Sequence, residues 1–258
     1  NSAKMVKYTY YAVNNKDPLF QDVRVRRAMM HAIDRETIRD TVMAGRAQIC
    51  TGVIAPILDW VHNPNVQRYD FDPKKSEALL AEAGWKKGSD GILTKDGKKF
   101  SFVFVLDPGN PVREQLSLYA QQSWKKIGMD VKLEYYEYGV ILKRIRNKPP
   151  TYQANINWYI HPATPDLSAY YATGAGSNTF NYSNPEVDRL FDEGRKTADK
   201  QKQVEIYGKI QKIMADDLPV LFLFYPNEIR AINKRIGGFA NVGYRDAYAW
   251  CHRIFIKK

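Results

Sequence analysis

The sequence predicts an α/β fold, and three observations carry that reading. Runs of β-forming residues alternate along the chain with runs whose apolar residues recur at helical spacing, the order that arises when helices cover a sheet. Three pairs, Asp72-Pro73, Asn110-Pro111 and Asn184-Pro185, stand at the heads of helical runs. In each, the side-chain oxygen accepts exposed backbone N–H groups, and proline loses nothing at a first helical position whose N–H would lack a partner anyway. No internal repeat, low-complexity segment or proline-rich linker divides the chain.

The elements follow in order. Val6–Val13 reads as a strand. Asp22 is placed to cap a helix with Val25, Met29, Ala32 and Ile33 on its apolar face. Asp34 caps the next, which carries Ile38 and Val42 and ends at Gly45. Residues 56–64 read as irregular. The helix after Asp72 carries Ala78, Leu79 and Ala83 and stops at Gly84; residues 88–97 read as polar turns and residues 100–106 as a strand. From Asn110 a helix runs to Ile127 and ends at Gly128. A strand over 129–136 and a short basic helix over 138–147 follow, closed off by Pro149 and Pro150.

Residues 152–161 alternate, with Ala154, Ile156 and Trp158 on one side and Asn155, Asn157 and Tyr159 on the other. Two asparagines on one strand face are costly in a core unless hydrogen-bonded, so that face is either solvated or lines a site. The stretch to Thr179 is long for a plain connection. The helix after Asn184 carries Val187, Leu190 and Phe191. The longest helix, from Asp199 or Lys200 to Asp216, places Val204, Tyr207, Ile210 and Ile213 or Met214 on its buried stripe. Residues 220–224 and 228–233 read as two strands, and 253–256 as an edge strand after an irregular aromatic tail from Phe239.

The 258 residues, 44% of them apolar, can bury a core without staples. Formal charge is +11, from 39 Lys and Arg against 28 Asp and Glu. The denser basic groups (Arg24, Arg26 and Arg27; Lys143, Arg144, Arg146 and Lys148; Lys257 and Lys258) make no long basic arm. The charge therefore reads as solvated surface, not as nucleic-acid binding. Cys50 and Cys251 lack zinc spacing and form either one disulfide or two buried thiols. No stretch is long and apolar enough to cross a bilayer, and the first residues lack the apolar segment of a signal peptide, as expected of a mature or trimmed product or a fragment. Phosphate-binding glycine loops, G-x-S-x-G and H-E-x-x-H are absent. The histidines His31, His62, His161 and His252 stand apart, and no carboxylate pair stands out as acid and base. Neither catalysis nor a metal or cofactor is expected.

Four runs point further. They are Asn15 to Ala28 (NKDPLFQDVRVRRA) with His31 to Asp34; Tyr69 to Pro73 (YDFDP) with Leu79 to Trp85 (LLAEAGW); Trp124 to Val131 (WKKIGMDV); and Asn184 to Leu190 (NPEVDRL) with Tyr207, Gln211 and Asp217 to Pro219. In this order they resemble the carboxy-terminal part of family 5 extracytoplasmic solute-binding proteins, the oligopeptide-, dipeptide- and nickel-binding class of ABC importers. The resemblance implies the second lobe of a type II periplasmic-binding-protein-like fold, a mixed sheet flanked by helices, with a tail returning to a largely missing first lobe. Residues 1–229 would form the ligand-binding lobe, and 230–258 the crossover and tail. The rest of the first lobe would come from missing sequence or from a separate chain.

The resemblance also implies a site. In peptide-binding relatives an aspartate three residues after a tryptophan holds the ligand's ammonium group. Trp158 matches the tryptophan, but His161 occupies the aspartate's place, and Asp166 lies nearby after Thr164-Pro165. Loss of that carboxylate weakens capture of a peptide amino terminus. Asp166 is either a substitute ligand or a cap for the residues after it. Arg146 matches a ligand-side arginine of some relatives and could fork onto a carboxylate; otherwise it is a surface residue. Asn155 matches another ligand-side position, with Asn157 and Tyr159 of second rank. Arg113 stands near a helix start, a poor place for a cation, which points to a local anion or carboxylate partner.

The implied mechanism is capture by closure: solute binds the open protein, the lobes hinge together, and the closed form docks on an ABC permease in the membrane. The implied location is periplasmic or extracellular, with a lipid anchor in a full-length precursor. The tyrosines, Asn155, Asn157 and the missing aspartate keep an oligosaccharide open beside a peptide as the solute; a nickel chelate has little support. An isolated structural or protein-interaction module is the competing class.

Overall fold

A seven-stranded mixed sheet organises the computed structural model, which describes residues 2–4, 7–147, 150–160, 164–229, 231–238 and 252–257. In chain order the first half holds β1 (Ser2–Lys4), β2 (Lys7–Val13), α1 (Val23–His31), α2 (Arg35–Thr41), β3 (Ala47–Ile49), α3 (Pro73–Glu82), β4 (Lys86–Lys87), β5 (Leu93–Lys95), β6 (Lys98–Lys99), β7 (Ser101–Leu106) and α4 (Pro111–Lys126). The second half holds β8 (Asp130–Tyr135), α5 (Tyr138–Arg146), β9 (Ala154–Ile160), α6 (Ser168–Tyr171), α7 (Pro185–Lys196), α8 (Lys200–Asp217), β10 (Leu221–Ile229), β11 (Ile236–Gly237) and β12 (Phe255–Ile256). The main sheet runs β1-β10-β2-β9-β7-β8, with β3 added to β10. β2 is antiparallel to β10 and β9, whereas β7 is parallel to β9 and β8.

Local chemistry sets the helix ends. The side chains of Asp22, Asp34, Asp72, Asn110, Asn184 and Asp199 each accept a first-turn N–H, and proline follows three of them. Gly128 ends α4 at φ +94, and a Cβ there would lie 3.0 Å from the Gly91 carbonyl and from Leu93 Cγ, so both conformation and space call for glycine.

One sheet face carries Tyr11, Phe102 and Phe104 against Trp124 of α4, all fully buried, with ring centroids 5.3–6.0 Å from the indole. The Trp124 indole N–H donates to Met29 O at 3.0 Å, and the Tyr11 hydroxyl to Leu116 O at 2.6 Å, so the polar atoms in this core are satisfied.

Several expectations change. Residues 220–224 and 228–233 are not two strands. β10 is continuous because different neighbours take its successive segments: β2 pairs at Leu221–Phe224, β3 at Phe224–Pro226 and β1 at Asn227–Ile229. Pro226 sits where the neighbour changes. The turn region 88–97 instead contributes to a three-stranded sheet, β4-β5-β6. The expected edge strand near the end pairs as β12 with β11, outside the main sheet. Val204 is 41% exposed; the buried stripe of α8 runs through Tyr207, Ile210, Gln211 and Met214. Gln211 belongs there because its amide bonds Val61 O, Tyr207 O and Asn63 N, clamping the irregular segment onto the helix. Cys50 is a buried free thiol, pushed up to about 12 by burial; Cys251 lies outside the described residues.

At the α7–α8 contact, a Cβ on Gly194 would lie 2.8 Å from the Tyr207 ring, which is 2% exposed. Gly194→Ala should therefore lower stability by about 1–3 kcal/mol through overpacking, against the roughly 1 kcal/mol that alanine ordinarily adds within a helix. Urea unfolding measures the sign, and a gain in stability would show that the ring yields.

Candidate functional site

Because β7, β8 and β9 are parallel, their carboxyl ends Leu106, Tyr135 and Ile160 share one edge of the sheet, joined by the start of β2, where Lys7 pairs with Ile160. The amino-terminal ends of α4 and α5 follow β7 and β8 directly. In α/β sheets this edge is the ordinary place for a ligand.

A cavity of about 280 Å³ opens there. Its floor is the sheet face bearing Tyr8, Tyr10, Asn157 and Tyr159, and Tyr138, Tyr170 and Tyr171 also line it. The aromatic side chains are held by one another. The hydroxyls of Tyr8 and Tyr171 lie 2.5 Å apart, and Tyr159 packs on Tyr170 with centroids 3.9 Å apart and on Tyr8 at 5.5 Å. Burial, with neighbouring phenols adding to it, pushes the Tyr8, Tyr10 and Tyr159 hydroxyls well above the ordinary tyrosine range. These phenols are neutral donors and acceptors at any physiological pH.

Trp158 stands on the cavity rim, 37% exposed, with Lys7 Nζ 4.7 Å and Arg113 Cζ 6.0 Å from its ring centroid. Arg113 also lies 5.6 Å from the Tyr138 ring, and it pairs with Asp107 at 2.6 Å. This carboxylate supplies the partner that Arg113's position in the first turn of α4 called for. A single guanidinium therefore sits against both exposed aromatic residues of the rim.

The structure brings Trp158, Asn157, Tyr159 and Arg146 together around this cavity, with Arg113 at its edge. Asn157 Oδ1 accepts the Trp158 backbone N–H at 2.8 Å. Asn155 lies deeper on the same strand, 1% exposed and away from the cavity lining. Its amide is near the Tyr152 hydroxyl, which donates to Thr179 O, but neither amide atom reaches hydrogen-bond geometry among the described residues. Asp166 does not line the cavity. Its Oδ1 accepts the N–H of Ser168, the first residue of α6, at 3.0 Å, while the N-cap position itself is Leu167. His161 lies outside the described residues. Sequence reasoning missed Lys7, Tyr8, Tyr10, Tyr138, Tyr170 and Tyr171. Tyr8 and Tyr10 alternate along β2, a period-two signal that the pairing of β2 with β9 converts into cavity floor, while Lys7 begins the strand and reaches the Trp158 ring.

An α/β lobe with an aromatic cavity at the carboxyl edge of its parallel strands is the class that the structure defines. Residues 1–181 match the family described as bacterial extracellular solute-binding proteins, family 5 Middle, and the chain belongs to that family. It is 32% identical over 251 residues to oligopeptide-binding protein AppA of Bacillus subtilis, covering 94% of this chain and 46% of that protein. It is 30% identical over 239 residues to a dipeptide-binding protein of Escherichia coli, covering 91% of this chain and 43% of that one. The structure of the Bacillus subtilis protein in complex with a nonapeptide superposes with a TM-score of 0.91 at 31% identity, over 100% of this chain and 52% of that one. The chain thus spans about half the length of the curated relatives it matches. Its fold is one lobe of the bilobed type II periplasmic-binding-protein-like architecture.

Proposed function

We propose that the chain forms the second lobe of the substrate-binding component of an ABC importer, which captures an oligopeptide or peptide-like solute and delivers it to a membrane permease. Residues 1–229 form the binding lobe in this reading, and 230–258 are the crossover and tail toward the first lobe. Capture proceeds by closure of two lobes over the solute, with no covalent step. The observation that carries the reading is the tyrosine-lined cavity at the carboxyl edge of the parallel strands, with Trp158 on its rim. Oligopeptide- and dipeptide-binding relatives support a peptide as the solute. An oligosaccharide remains the second reading, on the planar polar face of Asn157 and the tyrosines.

Native mass spectrometry of freshly purified protein tests this directly. A retained peptide mass supports the proposal, a retained glycan selects the second reading, and turnover of any bound peptide would sink both. Trp158→Ala should weaken peptide binding by about two- to tenfold, the worth of one good aromatic contact. Stability should stay within about 0.5 kcal/mol, since the ring is partly solvated. Calorimetric titration beside urea unfolding separates the two effects.

A further inference from the structure

The end of the lobe opposite the cavity carries a basic surface. β2 starts at the carboxyl edge, and β10 runs antiparallel to β2, so Ile229 ends at that edge too. A first lobe joined through these strands therefore leaves the amino edge of the parallel strands uncovered. The small sheet β4-β5-β6 sits at this amino edge. β6 leads into β7 through Phe100, and the Leu93 N–H of β5 donates to Gly128 O, just after α4, at 2.7 Å.

Five of the seven residues in these three strands are lysine: Lys86, Lys87, Lys95, Lys98 and Lys99. Lys125 and Lys126 in the last turn of α4 add to them. Lys95 stands directly opposite Lys98, and a like-charged pair across a ladder costs stability. Three of these lysines have partners: Lys87 pairs with Glu77 at 2.7 Å, Lys99 pairs with Asp90 at 2.6 Å, and Lys95 donates to Ala83 O at 2.8 Å. Lys86, Lys98, Lys125 and Lys126 are exposed, and none of them pairs with a carboxylate among the described residues.

Apolar ground adjoins these cations. A groove of about 280 Å³ between the start of α1 and the small sheet is lined by Pro18, Leu19, Val25 and Trp85, with Lys95 and Lys98 beside them. Its carboxylates are Asp96 and Asp22, and Arg24 holds Asp22 at 2.7 Å.

We propose that this face docks on an anionic lipid bilayer. Lysines are compact charges on flexible stems and suit a diffuse layer of headgroup phosphates, whereas an enclosed anion site calls for the rigid arginine fork. Negative charge opposite Lys95 and Lys98 relieves their mutual repulsion. The apolar groove beside the lysines gives the lipid surface a second contact, as in other amphipathic surface binders. In this orientation the carboxyl edge and its cavity point away from the bilayer and stay open to solute. The contact does not depend on which solute the cavity takes.

Vesicle co-sedimentation of the 258-residue chain tests it. Phosphatidylcholine vesicles with about 30% phosphatidylglycerol should bind at least about tenfold more tightly than pure phosphatidylcholine. That preference should disappear as salt rises from about 50 to about 300 mM. Each lysine near an anionic surface contributes roughly fivefold, so Lys86→Gln/Lys98→Gln/Lys125→Gln/Lys126→Gln should lose at least about tenfold. Lys196→Gln/Lys202→Gln/Lys209→Gln/Lys212→Gln removes the same charge from α7 and α8 and should stay within about threefold of the parent. All eight lysines are exposed, so both variants should keep the parent's urea midpoint. Equal losses in the two variants would mean that net charge and not this face drives adsorption, and would overturn the proposal. Equal binding to the two vesicle types would overturn it as well. So would tighter binding to a short DNA duplex that the first variant also loses, because the face would then serve soluble polyanions.

Discussion

Raising the pH through 10 should unfold this protein in one cooperative step. Tyr8, Tyr10, Tyr11, Tyr152, Tyr171 and Tyr225 are each at most 7% exposed, and burial pushes every one of their hydroxyls well above the ordinary value. The direction follows from proton counts. Above about pH 10 a tyrosine in the unfolded chain loses its proton while the buried one keeps it. The folded state then holds more protons, so the stabilisation is whole below pH 10 and is lost as pH climbs toward the folded values. Each phenol contributes about 1.4 kcal/mol per pH unit, and six together about 8. Total stability for a domain is only about 5–15 kcal/mol. Tyrosinate absorbance at 295 nm and far-UV circular dichroism should therefore change together within roughly one to two pH units above 10. Tyrosinate rising to the full count of 17 tyrosines with the dichroism unchanged would show that the buried phenols ionise in the folded state, and would contradict their burial.

Replacing Arg26 with methionine should cost about 3–5 kcal/mol, because it leaves several buried carbonyls unsatisfied at about 1–3 kcal/mol each. Arg26 is 6% exposed, and its guanidinium donates to Phe20 O at 2.7 Å, Gln21 O at 2.9 Å, Asp217 O at 2.5 Å and Leu218 O at 3.0 Å. It joins the turn before α1 to the end of α8, where Leu218 takes a left-handed φ of +46 that is unfavourable for a side chain of its kind. Methionine fills similar volume but leaves those carbonyls without their charged donor. Its neighbour Arg27 donates to Asp216 O near the surface, so Arg27→Met should cost about 1 kcal/mol or less. Urea midpoints of the two variants make the comparison. Equal losses would mean that Arg26 is no more than surface decoration.

The contrast between these two arginines shows what a linear reading can and cannot reach. Arg24, Arg26 and Arg27 form one basic group in the sequence, yet one pairs with Asp22, one is buried under four carbonyls, and one covers a helix end. The same holds for the carboxylates near the site. Asp166 stands close to Trp158 in sequence but bonds its own turn, while Asp107, singled out by no pattern, holds the arginine beside the tryptophan.

What the sequence by itself determined is whatever depends on near neighbours. The caps at Asp22, Asp72, Asn110 and Asn184, the glycine stop at Gly128, and the alternation that put Asn157 and Tyr159 on one strand face all act within a few residues. The family was legible for the same reason, because its signature runs are largely these caps and stops in a fixed order. Tertiary structure alone decided the rest. It joined residues 221–229 into one strand by giving its segments different neighbours, and it turned Val204 outward while Gln211 went in. It also gathered Tyr8, Tyr138 and Tyr171 around a cavity, with Arg146 beside them. Strand neighbours and cavity charges depend on residues far apart in the chain, and only the closed packing of the sheet and its helices brings those residues within reach of one another.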